Sequence, residues 1–216
     1  MAERMLSAVI SLIMMVLMIQ ILMQLLERMQ QAFAEIIPPP EEEAPPSILY
    51  PEADSYVKSY EPDVNSGTIK YIATAQKPEG IARGFLRFDL SELSGVTIKS
   101  AILHIKTYES IPTGYSWMGT VDVHKASDDW DEDTVTWNTD NPTVGDKITS
   151  INADGPDKWI EIDVTDYIKE ELAGDKKATI LFKHPTEDKS TTVSAQFYSK
   201  DADEKTNRPY LELTYQ

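Results

Sequence analysis

The chain has 216 residues, with 36 acidic and 20 basic side chains that give a formal net charge of -16 at pH 7. A field of that sign repels a phosphate backbone, which argues against nucleic acid as a partner. No cysteine is present, so disulfide bonds and thiolate metal sites are excluded. Seven of the eight methionines precede residue 30, whereas all four tryptophans follow residue 116. The two parts of the chain therefore differ in composition.

The N-terminal part is dominated by one apolar run. Residues 5–23 contain only three polar side chains, Ser7, Ser11 and Gln20, and the run has about the length that a helix needs to cross ~30 Å of hydrocarbon. No small-residue cleavage site of the kind that ends a signal peptide follows it directly. We therefore predict a hydrophobic transmembrane or assembly helix over residues 1–37, with membrane lipid as a partner.

The apolar pattern continues past this run along one face of the helix. Leucine, methionine and isoleucine recur at helical spacing up to Ile36, and two serines on the same face let helices approach closely in a membrane. The alternative is a lone anchor whose amphipathic tail lies on the membrane surface. The pattern predicts self-association through a helix–helix interface made of Ser7, Ser11, Leu22, Leu25, Met29 and Ile36.

A proline- and glutamate-rich stretch, PPPEEEAPPS, follows at residues 38–47. Proline lacks the amide donor that a helix requires, so the helix ends here. Polyproline-type chain rises about 3 Å per residue, which makes the stretch a stiff linker of roughly 30 Å. The remaining residues, 48–216, form the third predicted segment and are long enough to bury a core of their own.

From residue 50 onward the apolar residues alternate with polar ones, as in half-buried strands. Turn residues separate these segments, and several short strands with such spacing are typical of a β-sandwich or jelly roll. The fold class is therefore predicted as mainly β, an antiparallel sandwich behind a long N-terminal helix. A short helix is also predicted from Asp163 or Thr165 to Leu172, closed by Gly174. The predicted strands are residues 84–89, 100–106, 120–124, 159–164, 178–183, 193–198 and 210–215.

Six motifs in this part of the chain occur in the order of a known family. They are ADSYV (53–57), NSG (65–67), RGFLRFDLSEL with TIKSAILHI (83–105), WDEDTVTWNTDNP (130–142), WIEIDVTDYIKEELAG (159–174) and FYSKDADEKTNRPYLELTY (197–215). Together they resemble the DNRLRE domain family, which is related to disaggregatase-associated modules, and the resemblance covers residues 50–216. It implies a β-sandwich, an extracellular setting and, for some members, polysaccharide binding.

Two pairs of aromatic residues are candidates for stacking against a sugar ring. Trp130 and Trp137 flank an acidic stretch whose carboxylates can accept hydrogen bonds from sugar hydroxyls. The alternative is that both tryptophans pack in the sandwich core. Tyr115 and Trp117 stand among turn residues, where no strand requires a large ring. These four residues are the predicted ligand-binding set.

Oxygen ligands are abundant and soft ligands are scarce, so calcium is the metal that the composition favours. Asp54, Asp63 and Asn65 lie close together in sequence, and the resemblance aligns Asp201 with an acidic position of the family. The first and penultimate strands of a jelly roll can meet, which would bring these residues together. They are the predicted Ca²⁺ ligands, with simple solvation of the acids as the alternative.

No arrangement of catalytic residues is evident, because His104, His124 and His184 occur outside known catalytic motifs. The chain is therefore predicted not to be an enzyme, and a small glycan-cleaving enzyme is the disfavoured third hypothesis. The predicted function is a surface-displayed adhesion or glycan-binding protein, held by its helix at the extracellular face of a membrane or on a virion. The alternative is a structural subunit of a filament, pilus-like fibre or virion spike, with bundled helices inside and sandwiches outside.

Overall fold

The computed structural model describes the backbone of residues 2–36 and 47–216, and the side chains of residues 12–29 and 47–216. The chain divides into two compact units, Met1–Ala44 and Pro45–Gln216. Residues 38–46 of the predicted linker lie outside the described residues, so its extended conformation stays a prediction.

The first unit contains one helix, α1, spanning Ala2–Ile36. Within it, the stretch Leu12–Met29 has a mean hydropathy of 1.7 and, by length and composition alone, meets the requirement for crossing a membrane, which a secretion signal also meets. Every described side chain of the helix is exposed, and these include Leu22, Leu25 and Met29. The side chains of Ser7, Ser11 and Ile36 lie outside the described set, so the predicted interface stays a prediction.

The second unit is a β-sandwich, which confirms the predicted fold class. All seven predicted strands are present. Three further strands of at least six residues were not predicted, and they span Ala53–Lys58, Tyr71–Lys77 and Val144–Ala153. The strands are β1 Ile48–Leu49, β2 Ala53–Lys58, β3 Tyr71–Lys77, β4 Gly80–Asp89, β5 Ile98–Lys106, β6 Ser116–Trp117, β7 Gly119–Ala126, β8 Val144–Ala153, β9 Trp159–Asp163, β10 Lys177–Lys183, β11 Val193–Tyr198 and β12 Tyr210–Tyr215.

Two sheets form the sandwich. The small sheet has the strand order β1-β12-β5-β9, and the large sheet has the order β6-β11-β3-β4-β10-β7-β8, with β2 pairing β4 outside that path. Neighbouring strands are antiparallel in both sheets except for the short parallel pair β6–β11. The predicted short helix is also present as α2, Thr165–Ala173, and Gly174 donates its backbone N–H to the carbonyls of the last turn.

The main core lies between the two sheets and is built from the inward-facing residue of each alternating pair. Leu103 and Ile105 of β5, Phe88 of β4 and Phe197 of β11 are fully buried in it, and each such side chain stabilises the fold by about 1.5–3 kcal/mol. A second cluster contains Phe85 and Trp130. Because side chains alternate along a strand, the neighbours of the main-core residues point away from that core, and Phe85, next to Leu86 of the main core, is one of them.

Candidate functional site

The outer face of the large sheet carries a groove lined by tyrosines. Ile72 and Phe197 face the core, so Tyr71 on β3 and the alternate residues of β11 face outward. We call this the tyrosine groove. Its cavity has a volume of about 250 Å³. Its lining includes Tyr56, Lys58, Tyr60, Tyr71, Ala73, Ala75, Lys77 and Tyr115.

The centre of the groove is a pair of rings on two different strands. The rings of Tyr56 and Tyr71 are stacked, with 5.8 Å between centroids and 24° between planes. Tyr56 is paired in register with Gly84 of β4. A Cβ on Gly84 would lie 3.1 Å from the carbonyl oxygen of Ala73, so a side chain here would crowd the backbone of β3. The small residues Ala73 and Ala75 leave space beside the rings.

The hydroxyl groups of Tyr56 and Tyr60 remain protonated at neutral pH. Burial raises the pKa of Tyr56 and of Tyr60, and the neighbouring tyrosines Tyr71 and Tyr115, respectively, raise it further. A protonated phenol can donate one hydrogen bond and accept another. The groove therefore offers aromatic faces together with hydroxyl groups. These hydroxyl groups can both donate hydrogen bonds to the alcohol groups of a ligand and accept hydrogen bonds from them.

Two lysines place positive charge beside the rings of this otherwise acidic chain. The Nζ atom of Lys77 lies 4.0 Å from the ring centroid of Tyr60, and that of Lys58 lies 5.5 Å from the centroid of Tyr56. Such cation–π contacts hold the ammonium groups at the groove wall. Lys58 also pairs with Glu61, so its charge is partly neutralised.

The structure distributes the four predicted ligand-binding residues differently. Tyr115 lines the groove, whereas Trp117 is half-buried on β6 and is not among its lining residues. Trp130 is only 5% exposed and meets Phe85 edge-to-face at 4.8 Å. Trp130 is therefore a core residue, the alternative that the sequence left open, and its ring has no free face for a ligand. Trp137 is half-buried, with the Arg83 guanidinium 5.3 Å from its ring.

Three carboxylates lie close together near the N-terminal end of β2. Oxygen atoms of Asp54, Glu132 and Asp201 lie within 4.8 Å of one another, which brings together two of the four predicted calcium ligands and adds Glu132. Lys200 stands among them, with Nζ 3.1 Å from Glu132 and 3.3 Å from Asp201. Its backbone N–H donates to the buried Asp54 carboxylate at 2.5 Å. We call these four residues the carboxylate cluster.

Burial shifts the pKa of two carboxyl groups in this cluster. It raises the pKa of Asp54 to about 7, against the lowering effect of the hydrogen bond from Lys200, and it also raises the pKa of Glu132. Three carboxylates are the hard oxygen donors that suit Ca²⁺. The Lys200 ammonium already supplies a positive charge among them, so calcium would have to displace it. Calcium binding stays a prediction.

The other two predicted calcium ligands have different roles. The Asn65 side-chain amide donates to the carbonyls of Glu132 and Val135 at 2.8 and 2.9 Å, and so fixes the loop that carries Glu132. Asp63 is exposed and accepts a hydrogen bond from Asn138. Asp63 is not part of the cluster, and the amide oxygen of Asn65 accepts a hydrogen bond from the backbone N–H of Gly67.

Comparison with known proteins gives one family. The sequence profile of carbohydrate-binding module family 96 matches residues 45–215. It supports a carbohydrate-binding-module-like domain but not specifically the DNRLRE family that the motifs resemble. No curated protein matches the chain. Since the match covers nearly all of the β-sandwich and more than half of the chain, the protein belongs to carbohydrate-binding module family 96.

Proposed function

We propose that the β-sandwich binds a carbohydrate in the tyrosine groove. The observation that carries the proposal is that the half-buried rings of Tyr60, Tyr71 and Tyr115 line one cavity. The ring of Tyr56, itself buried, stacks on Tyr71 and supports it. A pyranose has an apolar C–H face and a rim of hydroxyls. Aromatic faces match the first and protonated phenols match the second. Membership of a carbohydrate-binding module family supports the same function.

The proposed role is binding rather than catalysis. The groove combines rings, phenols and ammonium groups, and the one carboxylate on its wall, Glu61, is paired with Lys58. Hydrolysis of a glycosidic bond generally requires two carboxyl groups on opposite sides of the scissile bond. The family to which the domain belongs is named for binding, which also supports a non-catalytic module.

We further propose that helix α1 displays the sandwich on the outside of a membrane. Its stretch Leu12–Met29 is apolar enough to span a bilayer, and exposed apolar side chains on this scale require lipid or protein around them. A membrane-anchored binding module would attach the membrane surface to a polysaccharide. A protein arranged in this way would have the adhesion function that the sequence predicts.

The test uses the full-length chain in a detergent without a sugar headgroup, because a glycoside detergent would compete for the groove. Binding to a panel of neutral and acidic polysaccharides is measured by affinity electrophoresis and calorimetry. We expect Tyr71→Ala to weaken binding at least tenfold, about 1.4 kcal/mol. Tyr71→Phe, which keeps the ring, and Val64→Ala at an exposed site outside the groove should bind within a few-fold of the wild type.

Either of two results would overturn the proposal. One is the absence of binding to every glycan of the panel. The other is undiminished binding by a Tyr56→Ala/Tyr71→Ala double variant whose circular dichroism spectrum shows an intact sandwich. Release of reducing ends from any bound polysaccharide would overturn the non-catalytic role while leaving the groove as the binding site.

A second candidate function is that of an assembly subunit whose helices bundle together. The exposed side chains of Leu22, Leu25 and Met29 on one helix favour it. Analytical ultracentrifugation of the full-length protein and of residues 48–216, both in the same detergent, separates the candidates. An oligomer that requires the helix supports assembly, whereas a monomer in both samples contradicts it.

A further inference from the structure

A second group of aromatic rings lies on the outer face of the small sheet, away from the tyrosine groove. Leu103 and Ile105 of β5 and Leu211 of β12 face the core, so His104 and Tyr210 face outward beside each other, as their pairing in register requires. Trp159 of β9 adjoins them from one side and Tyr50, just after β1, from the other. We call these four residues the Trp159 platform.

The rings of the platform are in contact with one another. His104 and Tyr210 are stacked, with centroids 4.6 Å apart and 9° between planes. Trp159 meets the Tyr210 ring edge-to-face at 5.9 Å, and Tyr50 lies 6.3 Å from the same ring. The side-chain positions are therefore set by their neighbours, which lowers the entropy that a ligand must remove on binding.

Two of these rings are unusually exposed for their size. Trp159 is 43% exposed and Tyr50 is 55% exposed, whereas Trp130 is almost completely buried. A contiguous group of exposed aromatic side chains is typical of a binding surface. The platform is also separate from the tyrosine groove, because it lies on the small sheet and none of its four residues lines the groove.

The polar groups around the platform indicate what it would bind. The carboxylates of Glu161 and Glu212 are exposed on the strands that flank His104, and Glu212 bonds to its Nε2 atom at 2.9 Å. Asp157 adds a third acid, paired with Lys106 at 3.1 Å. Carboxylates accept hydrogen bonds from hydroxyl groups and repel anions.

We infer that the Trp159 platform is a second carbohydrate-binding surface, which takes the ring of a neutral sugar. Trp159 and Tyr50 supply the stacking faces, and the free oxygens of Glu161 and Glu212 accept hydrogen bonds from the sugar hydroxyls. This inference goes beyond the proposed function, which needs only the tyrosine groove. Two binding surfaces on different sheets would allow one domain to hold two glycan chains at once.

The test titrates the full-length protein, in a detergent without a sugar headgroup, with short neutral probes: cellotetraose, mannotetraose and laminaritetraose. Short probes are chosen because a long polysaccharide could reach both surfaces. Protection of tryptophan from N-bromosuccinimide, localised by peptide mass spectrometry, reports on Trp159 itself. We expect at least one probe to protect Trp159, and this protection to persist in a Tyr71→Ala variant.

Trp159→Ala should weaken binding at this surface at least tenfold, whereas Trp159→Phe, which keeps a stacking ring, should lose much less. Tyr50→Ala is the second test variant, because Tyr50 is the most exposed ring of the platform and its removal spares the core. Binding at the tyrosine groove should be unchanged in all three variants. The thermal unfolding midpoint of each variant confirms that the sandwich is intact.

The other outcomes are distinguishable. Glycan binding that depends on Tyr71 but not on Trp159 or Tyr50 overturns this inference and leaves the proposed function standing. No binding of any glycan overturns both. Self-association that is lost in Trp159→Ala, without protection of Trp159 by any probe, also overturns the inference, because the platform is then a contact between copies of the chain.

Discussion

Tyr56 stacks on Tyr71 and lies beside Gly84 of β4, a position that carries no side chain. Tyr56 pairs in register with Gly84, and a Cβ on Gly84 would lie 3.1 Å from the carbonyl oxygen of Ala73 on β3. The groove depends on this close approach of β2, β3 and β4.

Gly84→Ala is expected to weaken both the fold and glycan binding. The added Cβ would lie 3.1 Å from the Ala73 carbonyl oxygen and 3.3 Å from its backbone nitrogen, and backbone atoms in a sheet yield less readily than a side chain. We expect a loss of roughly 1–3 kcal/mol in the free energy of unfolding, as for other overpacked sites, measured by urea denaturation. Glycan affinity should fall several-fold because the two rings move apart.

Gly155→Ala is the matched control for this change. Its added Cβ would meet only the end of the Lys158 side chain, at 3.2 Å, and a flexible side chain can move away. We expect nearly wild-type stability and affinity for the control. Equal losses in the two variants would show that the effect belongs to glycine replacement in general and not to the approach at Gly84.

The sandwich could be predicted from the sequence because its strands alternate. In β5, for example, Leu103 and Ile105 are buried, whereas His104 between them is partly exposed, and such a pattern is legible without a structure. In β8 this signal is missing, since nearly all of its residues are exposed or half-buried. Its place is determined by pairing with β7, which is a tertiary contact.

The candidate site was less predictable, because it is assembled from distant segments. Tyr115 stood out as a large ring in a turn, but Tyr56 and Tyr71 are ordinary strand residues until β2 and β3 are placed beside β4. The meeting of Asp54 and Asp201 could be anticipated from the strand order of a jelly roll. Glu132 could not, because it lies in an irregular loop, and its position depends on the hydrogen bonds from Asn65.

Arg87→Met is expected to destabilise the sandwich by roughly 3 kcal/mol. The Arg87 side chain is largely buried, donates to the carbonyls of Asp128 and Trp130 at 2.9 and 2.7 Å, and pairs with Glu52 at 2.5 Å. Methionine retains the aliphatic stem but leaves those acceptors without their donor, and a buried acceptor without a partner costs about 1–3 kcal/mol. Urea denaturation followed by tryptophan fluorescence measures the change.

The control for Arg87 is Lys70→Met. Lys70 also pairs with an acid, Asp203, at 2.5 Å, but both side chains are more than half exposed. Solvent screening makes such a pair contribute little to stability, so the unfolding midpoint should remain that of the wild type. A wild-type midpoint for Arg87→Met as well would contradict the role assigned to the buried guanidinium.

Asp54 is expected to make the protein less stable as the pH rises from about 4 to about 7. Its pKa in the fold is raised from 3.8 to about 7, so in this window the folded state holds a proton that the unfolded state has released. The free energy of unfolding then falls with rising pH and levels off above pH 7. Asp54→Asn should remove this component, because an amide keeps the acceptor for Lys200 and does not titrate.

The measurement is urea denaturation of the wild type and of Asp54→Asn at several pH values within that window. The stability of Asp54→Asn relative to the wild type should increase with pH and then become constant. Asp201→Asn, in the same cluster, serves as the control for the loss of one negative charge. A difference between Asp54→Asn and the wild type that does not change with pH would contradict the raised pKa.

Lys200→Met tests the positive charge within the carboxylate cluster and, with it, the calcium prediction. The Nζ atom lies 3.1 Å from Glu132 and 3.3 Å from Asp201, so its removal leaves these carboxylates without a counter-charge. We expect a lower unfolding midpoint at a pH above 7, where the Asp54 carboxylate is also charged. Added calcium should raise the midpoint of this variant more than that of the wild type, because the ammonium no longer competes for the same oxygens.

Magnesium is the matched control, because it requires a small and nearly octahedral set of ligands, whereas calcium accepts irregular groups of carboxylates. A variant that responds to calcium and not to magnesium would place the ion at the cluster. Asp54→Asn combined with Lys200→Met should then lose that response, because a ligand charge is missing. If neither the wild type nor Lys200→Met responds to calcium, the calcium prediction is wrong, and Lys200 is itself the cation that the three carboxylates hold.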